Sequence, residues 1–142
     1  MSKVRLLATY PAEEILSQVK DKAKIELTVG EETYSLALCS VRLKTFKRSP
    51  VCVCCGKKGT LMGLDLPCGH NKPHLNLYHI SRKGKPLLMT RDHIIPRCLG
   101  GRNHISNMQT MCTVCNGKKG SKTPEEYEIY LKARRDSKPK KR

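Results

Sequence analysis

Large aromatic side chains are scarce in this chain of 142 residues, which has no Trp and, in Phe46, a single Phe. With aromatics at 4% of the composition, a core of this size lacks its largest apolar contributors and needs another source of cohesion. Long apolar runs are missing as well. No stretch approaches the roughly 20 residues that span a bilayer, and none of signal-peptide length follows Met1-Ser2-Lys3-Val4-Arg5. The expectation is a cytoplasmic protein, in a bacterial or phage-infected cell, with no membrane partner. Acidic residues are also few: 12 stand against 28 Lys and Arg, for a formal charge of +16. The natural partner of such an excess is a polyanion, nucleic acid first, although solubility or a basic tail would give the same count. The length suits one compact unit with decorated ends rather than two independent cores.

What the chain does have is eight cysteines. In a reducing compartment these favour metal over disulfides. Cys52-Val53-Cys54-Cys55-Gly56 and Cys112-Thr113-Val114-Cys115 each contain a C-x-x-C, a spacing that lets two thiolates on one tight turn grip the same ion. Two such turns complete a tetrahedral zinc site of four thiolates, Cys52, Cys55, Cys112 and Cys115. Zinc bound there ties the middle of the chain together, so that binding energy becomes folding energy and offsets the thin aromatic core. Cys54 is a substitute ligand in principle, and Cys39 and Cys98 read as inert thiols. A Cys-based redox protein is the competing reading, and it predicts a disulfide in place of zinc. Cys68, His70, His74 and His79 are spaced too irregularly for a second zinc and read as a polar loop near a nucleic acid.

The pattern around these pairs mixes helix and strand. Residues 11–20 open with Pro and two acids and space Ile15, Leu16 and Val19 at helical intervals. Lys24–Val29 alternates apolar with polar before Gly30 and pairs with Tyr34–Leu38 as a hairpin. A short helix over Val41–Lys47 leads to the first cysteines. Residues 56–74 have no clear period and read as loop. A second hairpin, Leu75–Ile80 with Pro86–Met89, delivers the chain to Asp92-His93. Thr123-Pro124-Glu125-Glu126 combines an N-cap, a Pro at the first helical position and a capping-box Glu, so a helix should run to about Arg134, with a basic last turn. The tail from Ser137 to Arg142 should be disordered. No internal repeat is visible.

Between the cysteine pairs lies Thr90-Arg91-Asp92-His93-Ile94-Ile95-Pro96-Arg97-Cys98-Leu99-Gly100-Gly101. Ser106-Asn107-Met108-Gln109-Thr110-Met111-Cys112 follows, then Cys115-Asn116-Gly117-Lys118-Lys119-Gly120. From Cys52 to Lys119 this order of motifs resembles the zinc-containing HNH endonucleases, whose site is a ββα-metal unit. The resemblance implies that His93 is the general base, that Asp92 ligates the catalytic metal, and that Asn107 braces the loop and helps orient the base. The third motif position holds Asn116 where the family name has His, an H-N-N variant also found in the HNH domain of RNA-guided CRISPR nucleases. Asp92 and Asn116 offer only oxygen ligands, which suit Mg2+ or Mn2+ better than Zn2+.

The chemistry agrees with the resemblance. Phosphodiester hydrolysis needs a water deprotonated near neutral pH and a cation to absorb charge, and these residues supply both without a protein nucleophile. One geometric condition follows, since neighbours on a regular strand face opposite ways: Asp92 and His93 share a site only near a strand end. Arg91, Arg97, Lys118 and Lys119 are the expected DNA contacts, and the basic C-terminal segment adds phosphate affinity that falls with salt.

The expected fold is therefore α+β: a small zinc-stapled ββα-metal domain over residues 49–122, an N-terminal αββ extension over 1–48, and a C-terminal helix and basic tail over 123–142. The expected function is metal-dependent hydrolysis of DNA, with a zinc-ribbon nucleic-acid-binding module without turnover as the alternative. A dimer or a larger protein partner fits these motifs as well as a monomer does.

Overall fold

The computed structural model describes residues 4–137. Residues 138–142, most of the expected disordered tail, lie outside the described residues, as do residues 1–3. The architecture is α+β. Strands β1 (Val4–Pro11), β4 (Leu61–Pro67), β5 (His74–Ile80), β6 (Pro86–His93) and β7 (Met108–Cys112) form one antiparallel sheet in the order β1-β4-β5-β6-β7. Strands β2 (Lys24–Val29) and β3 (Glu32–Ala37) form a separate hairpin. Helices α1 (Ala12–Leu16) and α2 (Val41–Arg48) precede the first cysteines, α3 (Thr113–Lys119) follows β7, and α4 (Pro124–Ser137) ends the described chain.

Most of these elements follow from local chemistry. The Ser40 side chain caps α2 by accepting from Leu43 N, and Thr123 and Glu126 exchange two 3.1 Å bonds in the capping box that starts α4. Two features depart from expectation. Strand β1 precedes the anticipated helix and pairs with β4, reaching from Val4 opposite Pro67 to Pro11 opposite Leu61. Strand β4 itself lies inside residues 56–74, expected as loop. The physical reason is burial: Met62, Gly63, Leu64 and Asp65 are all buried, and a strand covered on both faces loses the alternation by which strands are recognised.

The core lies on one face of this sheet. Met62 faces Leu77 and Leu64 faces Leu75 across the β4–β5 pair. They join Met89, Ile15, Leu43 and Phe46 in one cluster that continues to Cys52, Cys112 and Cys115. Asp65 is buried too, and it accepts hydrogen bonds from Asn76 Nδ2 at 2.7 Å and from the Tyr78 hydroxyl.

Strand β6 decides where the site falls. Its first half pairs with β5, Pro86 to Leu88 against Ile80 to Tyr78, and its second half pairs with β7, Met89 to His93 against Cys112 to Met108. Asp92 and His93 therefore sit at the far end of a strand whose other end is anchored in the main sheet. Helix α2 supports this end: Arg48 donates to the carbonyls of Ile105 and Met108, and Thr110 Oγ1 donates to Ser49 O at 2.6 Å.

Candidate functional site

The four cysteines of the two C-x-x-C turns converge. Their sulfur atoms all lie within 4.8 Å of one another, and Cys55 Sγ stands 3.9 Å from Cys112 Sγ. Two tight turns bring them there. Gly56 takes a positive φ of 77° and its N–H closes on Cys52 O at 3.0 Å. Cys112 caps α3, its sulfur accepting from Cys115 N at 3.4 Å. Among the described residues this is the one group of three or more His, Cys, Asp or Glu side chains placed to share a metal. His70 and His74 meet only edge to face.

The electrostatics of the cluster call for a cation. Burial pushes the Cys115 thiol up, and Cys112 and Cys52 beside it push the same way. Burial likewise raises Cys55. Cys52 also feels burial, but hydrogen bonds from the backbone at Cys55, Cys112 and Cys54 together bring it down to about 7. Four packed sulfurs within 4.8 Å of one another could hold zinc, whose charge would favour the thiolate form of each. The Tyr127 hydroxyl adds a second sign of fit. It is buried with no hydrogen-bond partner among the described residues, and Cys54, beside the cluster, is the cysteine that bears on it most. A metal-bound thiolate would give that O–H an acceptor.

A second locus lies at the other end of α3. Arg91, Asp92, His93, Pro96, Arg97, Cys98, Asn116, Gly120 and Ser121 line an open pocket of about 350 Å³. Asp92 is buried, and its Oδ2 accepts from Gln109 Nε2 at 2.9 Å and faces Lys119 Nζ at 3.2 Å. Gln109 stands directly across the β6–β7 pair from Asp92. Asn116 donates its Nδ2 to Thr90 Oγ1 at 2.9 Å, so its amide oxygen is the atom free to ligate. Asp92 and Asn116 line one pocket, and side-chain oxygens are the donors that a hard cation prefers.

His93 is the last residue of β6, which meets the geometric condition set by the pleat. The chain beyond it is braced by Asn107. Asn107 Oδ1 accepts from Ile95 N at 2.9 Å, and its Nδ2 donates to Ile95 O at 3.1 Å and Arg102 O at 3.0 Å. One side chain thus pins both ends of the 95–102 loop. Gly101 has room for no side chain there, since a Cβ would fall 1.7 Å from Ile95 O.

The expected DNA contacts divide. Arg91 and Arg97 line the pocket with Asp92 and His93. Lys118 is exposed and borders a groove shared with Lys57, Arg134 and Arg135. Lys119 departs from expectation: it is 1% exposed, and its ammonium donates to His93 O at 3.0 Å beside the Asp92 carboxylate. Its place is inside the site, where it joins α3 to the end of β6. Sequence reasoning also missed Gln109, Thr90 and Asn103, which touch Asp92, Asn116 and His93 respectively. The β6–β7 register is the signal that would have found Gln109.

Comparison with known proteins agrees with the resemblance. Residues 82–131 match the model of the HNH endonuclease family, a span that includes Asp92, His93, Asn107, Asn116 and the second cysteine pair. The match covers less than half the chain, and Cys52 and Cys55 lie outside it. No curated protein and no solved structure matches the chain. No helix among the described residues is long and apolar enough to cross a membrane.

Proposed function

We propose that this chain, whose residues 82–131 match the model of the HNH endonuclease family, hydrolyses DNA phosphodiester bonds at the pocket between β6 and α3. The observation that carries this reading is that Asp92, His93 and Asn116, 24 residues apart at the extremes, line a single open pocket together with Arg91 and Arg97.

In this reading β6, β7 and α3 are the ββα-metal unit. His93 is the general base, taking a proton from the attacking water. Asp92 and Asn116 would hold Mg2+ or Mn2+ through side-chain oxygens. When bound, that ion neutralises charge on the scissile phosphate and on the leaving oxygen. Lys119 and Gln109 fix the Asp92 carboxylate by its other oxygen. Asn107 holds the loop that follows the base. Arg91 and Arg97 draw the phosphate into the pocket, while Lys118 and the basic last turn of α4 add affinity that does not depend on sequence.

Cys52, Cys55, Cys112 and Cys115 would hold a structural zinc, since four thiolate ligands leave no open position for water. Such a thiolate site is at home in a reducing compartment, consistent with a cytoplasmic protein.

Supercoiled plasmid incubated with the zinc-loaded protein and Mg2+ or Mn2+ is the test. Wild type should nick or linearise it, and His93→Ala should not. Equal cutting by the variant would remove His93 from its role. Plasmid shifted on a gel but left intact by wild type would favour the zinc-ribbon binding module.

A further inference from the structure

The imidazole of His93 meets a side chain that belongs to none of the motif positions. Its Nε2 lies 2.5 Å from Oδ1 of Asn103, on the loop between β6 and β7. An amide oxygen has no hydrogen to give, so the proton in this bond is carried by the ring. We propose that Asn103 is a positioning residue that fixes His93 as the Nε2–H tautomer, which leaves Nδ1 as the nitrogen that accepts the proton of the attacking water. The contact with Asn103 Oδ1 is the observation behind the tautomer, and only the source of the proton rests on the nuclease reading.

The surroundings separate this role from a merely structural one. The hydrogen bonds of the Asn107 side chain go to the backbone of Ile95 and Arg102 and not to the imidazole. On the other side of residue 103, His104 Nδ1 accepts from Ser106 N at 3.2 Å and meets Ser106 Oγ at 2.7 Å. Residues 102 and 104 are thus held independently of the Asn103 side chain. Among the described residues, that side chain makes no hydrogen bond except the one to His93. Asn107 shapes the loop, and Asn103, presented by that loop, sets the ring.

The resulting step balances simply. The water oxygen bonds to phosphorus while one of its protons passes to Nδ1, the ester P–O bond breaks, and the leaving oxygen takes a proton from solvent. The imidazolium so formed keeps its Nε2–H on Asn103 Oδ1, and no change of partner is needed during turnover. A neutral amide suits this place, since it selects the tautomer without adding a second anion beside Asp92.

The experiment uses the full-length, zinc-loaded protein labelled with nitrogen-15, without Mg2+ or Mn2+, in alkaline buffer. Long-range proton–nitrogen spectra distinguish the two neutral tautomers, and the His93 signals are assigned by their loss in His93→Gln. Wild type should show a protonated Nε2 and a bare Nδ1. Asn103→Ala should move the ring to a mixture of tautomers, and Asn103→Asp, which keeps the acceptor, should restore the single form. In plasmid cleavage, Asn103→Ala should lower kcat roughly 10- to 100-fold with KM unchanged, and zinc content should stay at the wild-type level. A wild-type ring protonated at Nδ1 overturns the proposal, as does an Asn103→Ala protein with wild-type spectrum and kcat. If wild type cuts no DNA, the nuclease reading fails by itself, and the spectra still decide what Asn103 does.

Discussion

Lys119 Nζ lies 3.2 Å from the Asp92 carboxylate, with both side chains almost wholly buried, and the same ammonium donates to the carbonyl of His93. One cation thus locks α3 to the two residues at the end of β6. A buried pair of this kind is costly to break, because the remaining charge keeps its desolvation penalty and loses its partner. Lys119→Met should therefore destabilise the protein by about 3–5 kcal/mol, read by urea denaturation of the zinc-loaded form. An exposed lysine such as Lys118 should cost almost nothing when changed to Met. Equal stability of the two variants would remove the ion pair from the account of the fold.

The same pair bears on metal affinity. With Lys119 beside it, Asp92 offers an incoming cation little net negative charge, and Asn116 adds a neutral oxygen. Mg2+ and Mn2+ should accordingly bind weakly without DNA, with Kd on the order of 10⁻³ M, and more tightly when a substrate phosphate completes the site. Mn2+ titration followed by electron paramagnetic resonance, with and without a duplex carrying non-hydrolysable linkages, checks this. Submicromolar Mn2+ binding by the DNA-free protein would contradict it.

Zinc should behave differently. The thiolate cluster joins the Cys52–Cys55 turn to the junction of β7 and α3, a link between distant parts of the chain. Zinc removal should therefore loosen the β7–α3 end of the site as well as the turn. Cys112→Ser should lose zinc and most of the cooperative unfolding transition. Cys98→Ser, at an exposed thiol on the rim of the other pocket, should retain both. Native mass measurement and thermal melts separate these outcomes; a Cys112→Ser protein that keeps zinc and melts as wild type would refute the assignment.

The legibility of this molecule in its sequence follows the range of each interaction. Caps, C-x-x-C turns and the hairpin of Leu75–Ile80 with Pro86–Met89 are written in neighbouring residues, although β6 runs on to His93. The motif order singles out Asp92, His93, Asn107 and Asn116, and the fold brings Asp92, His93 and Asn116 to one pocket. Strand β4 is not legible, because burial on both faces erases its alternation, and its partners β1 and β5 lie on opposite sides of it in the chain. The sequence pattern marks Lys119 as a DNA contact because a lysine beside Lys118 and Gly120 ordinarily meets solvent; only the packing of α3 against β6 turns it inward. Gln109 and Thr90 became meaningful once the strand register was known.

Away from the site, Asp65 and Tyr78 offer a check on the main sheet. Burial, with the Asp65 carboxylate that accepts its proton, raises the Tyr78 phenol to about 12. A folded-state value above the unfolded one means that the native protein holds the proton more tightly. Stability from this bond is therefore complete below about pH 10 and drains away as the pH climbs toward 12. Tyr78→Phe removes the donor and leaves the buried carboxylate with Asn76 alone, at a cost of about 1–3 kcal/mol near neutral pH. Across the alkaline window the wild-type and variant stabilities should converge. Urea unfolding at a series of pH values reads this directly, and a gap that stays constant through that window would show that the Tyr78 hydroxyl does not hold Asp65.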